Sequence, residues 1–138
     1  MTAQRAVFDT SVLIAAEDRR PLGREVAEYD VALSVVTLAE LTAGVLAATS
    51  LEVRSTRLAT LDRVSDVSVL PIDETAATAW AELHVHLAQH GGRVNVNDLW
   101  IAATAVAHRL PLLTQDADFD PLVGVTRTVV SKRAATRR

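Results

Sequence analysis

Short runs of apolar residues alternate along the chain with longer segments in which apolar residues recur every three or four positions. The short runs predict buried strands, and the recurring pattern predicts amphipathic helices. The predicted strands are 6–8, 31–36, 67–72, 112–114 and 126–130. The predicted helices are 10–16, 37–48, 51–64, 73–89 and 97–109, with a loop or short helical turn over 115–122. This alternation is typical of an α/β domain with a mostly parallel central sheet of about five strands flanked by helices.

Local signals mark the ends of several helices. Asp9 or Thr10 is expected to cap the first one. Thr37 and Glu40 stand three residues apart, as the N-cap and third residue of a capping box do. The pair Gly91–Gly92 follows the helix predicted for 73–89, where a glycine C-cap is expected.

Composition narrows the class of protein. The 138 residues fit one domain, with residues 1–130 as the folded unit and 131–138 as a basic tail. Hydrophobic residues make up 49% and charged residues 22%, as in ordinary globular proteins. The absence of cysteine excludes a disulfide scaffold, a cysteine zinc site and a thiol nucleophile. The longest apolar tract contains Glu40, which argues against a membrane span, and we expect a cytoplasmic protein.

The charged residues exclude several phosphate-handling folds. Phosphatases of the haloacid dehalogenase type and response-regulator receivers also place an aspartate after the first strand, but both need a lysine near it. The chain has one lysine, Lys132, in the tail, and position 11 is serine rather than a second aspartate. The P-loop and the dinucleotide-binding glycine pattern are absent.

Five carboxylates follow predicted strands or begin predicted helices: Asp9, Glu40, Asp98, Asp116 and Asp118. Ligands of parallel α/β sheets bind at the carboxyl ends of the strands, so these side chains are candidates for one site. Each of them alone also suits a cap or a turn. Together they would repel one another, and a divalent cation would remove that cost. Ligation by carboxylate oxygens alone suits Mg²⁺ or Mn²⁺.

Four segments resemble motifs of PIN-domain ribonucleases, in the same order. They are Val7-Phe8-Asp9-Thr10-Ser11-Val12-Leu13-Ile14, Val36-Thr37-Leu38-Ala39-Glu40-Leu41, Asn97-Asp98-Leu99-Trp100-Ile101-Ala102-Ala103 and Leu113-Thr114-Gln115-Asp116-Ala117-Asp118-Phe119. Their spacing and the chain length are similar to those of the VapC toxins of toxin–antitoxin pairs, over residues 5 to 130.

The resemblance implies roles for individual residues. The four acidic metal ligands of the family match Asp9, Glu40, Asp98 and Asp116. Asp118 is a rival or helper at the fourth position, and Thr10 and Thr114 match hydroxyls that line the site. The implied activity is hydrolysis of RNA phosphodiester bonds that depends on Mg²⁺ or Mn²⁺. The implied partners are the RNA substrate, a VapB-like antitoxin and a second copy in a homodimer, with no membrane.

Two other functions stay open at this point. One is a PIN nuclease that processes RNA without being a toxin, and the other is a PIN-like module that only binds protein. The complete acidic set favours an enzyme. RNA would be attracted by arginines, although a solvated face is the ordinary explanation for each of them. The candidates are Arg19, Arg20, Arg24, Arg54, Arg57 and Arg63.

The longest predicted helix carries two further features. Glu82, His86 and His90 recur every four residues, a spacing that could bind zinc but that also suits an exposed polar face. Trp80 and Trp100 lie on apolar helix stripes, which favours packing in the core or in a dimer over stacking on bases.

Overall fold

The computed structural model describes residues 4–17 and 23–130, so the predicted tail at 131–138 lies outside it. The strands are β1 Gln4–Phe8, β2 Tyr29–Ser34, β3 Ser68–Leu70, β4 Leu112–Thr114 and β5 Thr128–Val130. The α-helices are α1 Thr10–Glu17, α2 Val35–Ala47, α3 Leu51–Arg63, α4 Glu74–His90 and α5 Val96–Ala107. Two 3₁₀ helices cover Arg24–Glu28 and Ala117–Leu122. Within the described ranges, none of the helices has the length and apolar character that a bilayer span requires.

The five strands form one sheet in the order β3-β2-β1-β4-β5, and all four pairings are parallel. This confirms the α/β fold class. The chain moves outward from β1 through β2 to β3, and then returns to the other side of β1 to form β4 and β5. The strand order therefore reverses between β1 and β4. The carboxyl ends of these two strands meet at the switch point where α/β sheets bind ligands.

The sheet is buried on both faces, because alternate residues of its central strands enter different apolar clusters. Val7 and Leu112 pack in a cluster with α4 and α5, whereas Phe8 and Leu113 pack in a second cluster with α1, α2 and the end of α3. Side chains alternate between the faces of a strand, so the two clusters lie on opposite faces. This explains why the strands read as continuous apolar runs.

The predicted capping box of α2 is wrong. β2 ends at Ser34, and the Ser34 hydroxyl accepts a hydrogen bond from the N–H of Val36 at 3.1 Å, so this serine is the N-cap. Thr37 lies inside the helix and is buried. The carboxylate of Glu40 accepts from Thr10 in α1 instead of closing a capping box. The helix therefore begins two residues before the predicted start, at Val35.

Other boundaries differ at the ends of elements. β3 and β5 are shorter than predicted, and the 3₁₀ helix Arg24–Glu28 was not predicted. The helical turn expected over 115–122 is present as the second 3₁₀ helix. α5 starts at Val96, because the side chain of Asn95 caps it.

The loop between α4 and α5 depends on its glycines. Gly91 ends α4 with a φ of 74°, as the C-cap prediction expected, and Gly92 has a φ of 115°. A Cβ on Gly92 would lie 2.9 Å from Cβ of Pro121, in the second 3₁₀ helix. Only glycine fits both the backbone angle and this close approach.

We expect Gly92→Ala to lower the free energy of unfolding by about 2–3 kcal/mol, because it adds backbone strain and a clash with Pro121. Gly124→Ala is the matched control, since Gly124 has a φ of 93° but nothing within 4 Å of the added carbon. The free energy of unfolding of the control should fall by only about 1 kcal/mol, because alanine there adds backbone strain but no clash. Urea unfolding of both variants measures the difference. Equal losses would contradict a contribution from Pro121.

Candidate functional site

Asp9 lies at the end of β1 and is 3% exposed. One of its carboxylate oxygens, Oδ2, accepts hydrogen bonds from the hydroxyls of Ser11 and Thr114, each at 2.6 Å. Burial raises the pKa of Asp9, and the hydrogen bonds from Ser11 and Thr114 act in the opposite direction. The two hydroxyls therefore favour the charged form of a carboxyl group, whereas burial disfavours that form.

The same two hydroxyls connect Asp9 to the loop after β4. The N–H of Gln115 donates to Ser11 Oγ at 3.1 Å, and the N–H of Asp116 donates to Thr114 Oγ1 at 2.9 Å. Each hydroxyl therefore accepts from the backbone and donates to Asp9. Because of this arrangement, the position of Asp9 and the position of the loop that carries Asp116 determine each other.

Removing one hydroxyl should measure this coupling. We expect Ser11→Ala to lower the free energy of unfolding by about 1–3 kcal/mol, because it leaves the buried Asp9 carboxylate and the Gln115 N–H each short of a partner. Thr42→Ala is the control, since its hydroxyl is exposed and bonds only to a carbonyl of its own helix. Chemical denaturation of both variants gives the two values. A Ser11→Ala protein as stable as Thr42→Ala would show that the network contributes nothing.

Asp98 lies in the first turn of α5 and is 7% exposed. It exchanges two hydrogen bonds with Asn95. Its N–H donates to Asn95 Oδ1 at 2.8 Å, and the Asn95 amide donates to Asp98 Oδ2 at 2.8 Å. The pKa of Asp98 is raised to about 7, mainly by burial and further by the negative charges of four other carboxylates: Asp9, Asp116, Glu40 and Asp118. The other four predicted carboxylates therefore all lie close enough to Asp98 to act on it through their charge.

Glu40 faces the site from α2. Its Oε1 accepts a hydrogen bond from the Thr10 hydroxyl at 2.8 Å, and Thr10 also lies 3.3 Å from the hydroxyl of Thr37. Thr10 and Thr114, the two predicted hydroxyls, thus each donate to a different carboxylate, Glu40 and Asp9. They fix the orientation of these acids by hydrogen bonds from neighbouring elements.

Asp116 and Asp118 follow β4. The carboxylate of Asp116 caps the second 3₁₀ helix by accepting from the N–H of Asp118 at 2.9 Å. Oxygens of Asp98, Asp116 and Asp118 lie within 4.8 Å of one another, and among the described residues this trio is the group able to hold a metal ion. Asp9 and Glu40 lie outside the trio but act on Asp98 through their charge.

The donor set suits a hard divalent cation. All five groups are carboxylates, which is the ligand chemistry of Mg²⁺ and Mn²⁺. Besides burial, what raises the pKa of Asp98 is carboxylate charge, and a cation would offset this charge. The residues present therefore fit a magnesium or manganese ion.

Three predicted arginines have intramolecular roles. Arg54 donates to the carbonyl of Ala48 at 3.2 Å and Arg57 to that of Gly44 at 2.7 Å, so both satisfy carbonyls at the end of α2. Arg63 donates to Thr60 Oγ1. Arg19, Arg20 and the side chain of Arg24 lie outside the described residues.

The histidines of α4 do not form the alternative zinc site within the described part of the chain. The rings of His86 and His90 stack with centroids 4.2 Å apart, and His90 Nδ1 lies 3.0 Å from the carbonyl of His86. Trp80 and Trp100 are partly buried, and their rings stack on each other.

Ser11 and Asn95 were not among the predicted site residues. Both carry signals that the sequence displays: Ser11 is a hydroxyl two positions after Asp9, and Asn95 is an N-cap type of residue three positions before Asp98. Each of them positions an aspartate rather than adding a charge.

Comparison with known proteins shows the family to which this chain belongs. The PIN domain matches residues 6–123. Ribonuclease VapC5 of Mycobacterium tuberculosis is 52% identical over 123 residues, covering 89% of this chain and 91% of the relative. Ribonuclease VapC4 of the same organism is 45% identical over 119 residues, covering 86% and 92%. The crystal structure of VapBC-5 from M. tuberculosis, a member of the VapBC family of toxin–antitoxin systems, matches with a TM-score of 0.81 and 48% identity, covering 93% of this chain and 98% of the other. The chain belongs to the PIN-domain family, among the VapC ribonucleases.

Proposed function

We propose that this chain is the toxin of a VapBC-type pair and that it hydrolyses RNA phosphodiester bonds at the carboxylate cluster. The observation that carries the proposal is the trio of Asp98, Asp116 and Asp118, whose oxygens lie within 4.8 Å of one another at the switch point of the sheet. Similarity to ribonucleases VapC5 and VapC4 over most of the chain supports the choice of RNA as substrate.

We assign the cation, Mg²⁺ or Mn²⁺, to Asp98, Asp116 and Asp118, with Asp9 beside them as a further ligand or charge partner. When bound, such an ion offsets carboxylate charge, polarises a phosphate and lowers the pKa of a water. Asn95 holds Asp98 in place through two hydrogen bonds. Ser11 and Thr114 orient the Asp9 carboxylate by donating hydrogen bonds to it, and these bonds favour its charged form.

Glu40 has a different task in this proposal. The hydrogen bond from Thr10 fixes its position, and it lies outside the trio of closest oxygens. We assign it to orient the attacking water and to accept the proton of this water. The water oxygen then bonds to phosphorus as the bond between phosphorus and the leaving ribose oxygen breaks. The leaving oxygen takes up a proton, so the products are one RNA with a phosphate end and one with a hydroxyl end.

The direct test is a cleavage assay with purified protein and a short single-stranded RNA. Cleavage is expected with Mg²⁺ or Mn²⁺ and not with EDTA. Ca²⁺ should bind but support little turnover, because its geometry is looser and it activates water poorly. Full cleavage in EDTA would exclude the carboxylates as a metal site.

We also propose a VapB-like antitoxin and a homodimer as the assembly. The solved relative VapBC-5 belongs to a toxin–antitoxin system, which supports the first partner. A small reading frame directly beside the gene, whose product binds this chain and suppresses cleavage, would favour a toxin over an RNA-processing nuclease. Light scattering checks the homodimer. A chain that binds the antitoxin but cleaves no RNA when it is free of the antitoxin would favour the binding module.

A further inference from the structure

A groove of about 830 Å³ opens beside the acidic site, between α4, α5 and the loop that joins them. This volume lies in the range of pockets that bind small ligands. Two residues of its lining also belong to the site: Asp118 is one of the acidic trio, and Asn95 holds Asp98. The groove is therefore continuous with the place where a scissile phosphate would bind.

Three aromatic rings form a stack at the wall of this groove. The ring of Trp80 lies between that of Trp100, at a centroid distance of 5.3 Å, and that of His84, at 4.8 Å. Trp80 and His84 are nearly parallel, with an angle of 8° between their planes, and both line the groove. His84 is exposed, so the stack ends in an aromatic ring that solvent reaches. Such surfaces are where nucleobases stack, largely independent of sequence.

The charge of the groove also suits RNA. Arg93 is in the lining of the groove, and it is exposed. A guanidinium beside an aromatic stack provides a contact for a phosphate next to a stacked base. The acidic trio alone would repel such a phosphate, so Arg93 supplies the attraction that the trio lacks.

We propose that this groove is a subsite for a nucleobase that flanks the scissile phosphate of single-stranded RNA. The base stacks on the His84 end of the three-ring stack, and Arg93 contacts the adjoining phosphate. The inference rests on the proposed ribonuclease function and deepens it, because the groove then sets how the strand is aligned relative to the carboxylates.

Tryptophan fluorescence tests the subsite independently of cleavage. The chain has two tryptophans, and both belong to the three-ring stack. Short single-stranded RNA added in Ca²⁺ should quench this fluorescence and saturate. His84→Ala should weaken binding about tenfold, in line with the loss of one base–aromatic stack. His86→Ala is the matched control, since His86 lies two residues along the helix, outside the groove lining, and stacks on His90.

A second arm identifies the base. Oligonucleotides that carry one abasic residue at successive positions should show one flanking position at which the wild type loses about tenfold in affinity. With the abasic residue at that position, His84→Ala should not weaken binding any further, because the base that would stack on His84 is already absent. Circular dichroism confirms that both histidine variants are folded.

The outcomes separate this proposal from the general function. If the wild type cleaves RNA but His84→Ala and His86→Ala bind it equally, the subsite is wrong and the ribonuclease stands. If the wild type cleaves no RNA in Mg²⁺ or Mn²⁺, the function itself is wrong. If an antitoxin quenches the fluorescence and RNA does not, the groove is a protein-docking surface and the proposal is overturned.

Discussion

Asp98→Asn is expected to lower the rate of RNA cleavage by about 10²–10³-fold while the fold stays intact. Asparagine keeps the size of the side chain and retains an oxygen that accepts from the Asn95 amide, so the local hydrogen bond survives. It removes one negative charge and one strong oxygen ligand from the trio formed with Asp116 and Asp118. The change therefore acts on the cation and leaves the packing of α5 in place.

The measurement is a single-turnover cleavage rate with Mg²⁺, compared with the wild type. Asp62→Asn is the control, because Asp62 is an exposed aspartate on α3, away from the cluster. The control should cleave at the wild-type rate. Cleavage by Asp98→Asn at the wild-type rate would mean that the cluster is not the reaction centre.

The second large effect is on stability without metal. We expect Asp98→Asn to raise the free energy of unfolding by about 2–4 kcal/mol near pH 8 in EDTA. The pKa of Asp98 is about 7 in the folded protein, against 3.8 for an ordinary aspartate. The folded state therefore holds this proton more tightly than the unfolded chain does. Ionising the group opposes folding, and this cost grows as the pH rises from about 4 to about 7.

The sign can be checked by urea unfolding near pH 5 and near pH 8. The wild type in EDTA should lose stability as the pH rises between these values, and Asp98→Asn should lose less. Part of the loss should remain in the variant, because the pKa of Asp9 is also raised. Mg²⁺ at pH 8 should stabilise the wild type more than the variant. A variant that is less stable than the wild type near pH 8 would show that Asp98 is mainly a structural residue of the helix start.

The sequence predicts the location of those site residues whose place is determined by a buried strand directly before them. Asp9 and Asp116 come after apolar runs that must pair inside a parallel sheet, so their position at one edge follows from the pattern. Asp98 stands at the start of an apolar helix, and this places it at the same end. The order of the strands could not be predicted from the sequence, because each short apolar run suits any position in a parallel sheet.

Local chemistry was harder to predict where two residues compete for one role. Ser34 and Thr37 both precede apolar helical positions, and either hydroxyl suits an N-cap. The outcome depends on where β2 stops pairing with β3, and that is a tertiary effect. The position of Asp118 beside Asp98 and Asp116 likewise depends on the 3₁₀ turn that Asp116 caps. The sequence predicts a turn here, but no short-range pattern specifies its exact shape.

The hydrogen bond from Thr114 to Asp9 spans 105 positions of the chain. Asp9 is therefore translated 105 residues before the hydroxyl that orients it, and β4, which pairs with β1 on that side, also comes later than β1. Until β4 has docked, one edge of β1 is unpaired and the loop with Asp116 is missing. Products that end between α5 and β4 therefore contain Asp9, Glu40 and Asp98 but lack Thr114 and the loop with Asp116. We expect a nascent chain to leave RNA uncut until β4 and the loop with Asp116 have been translated and have docked beside β1.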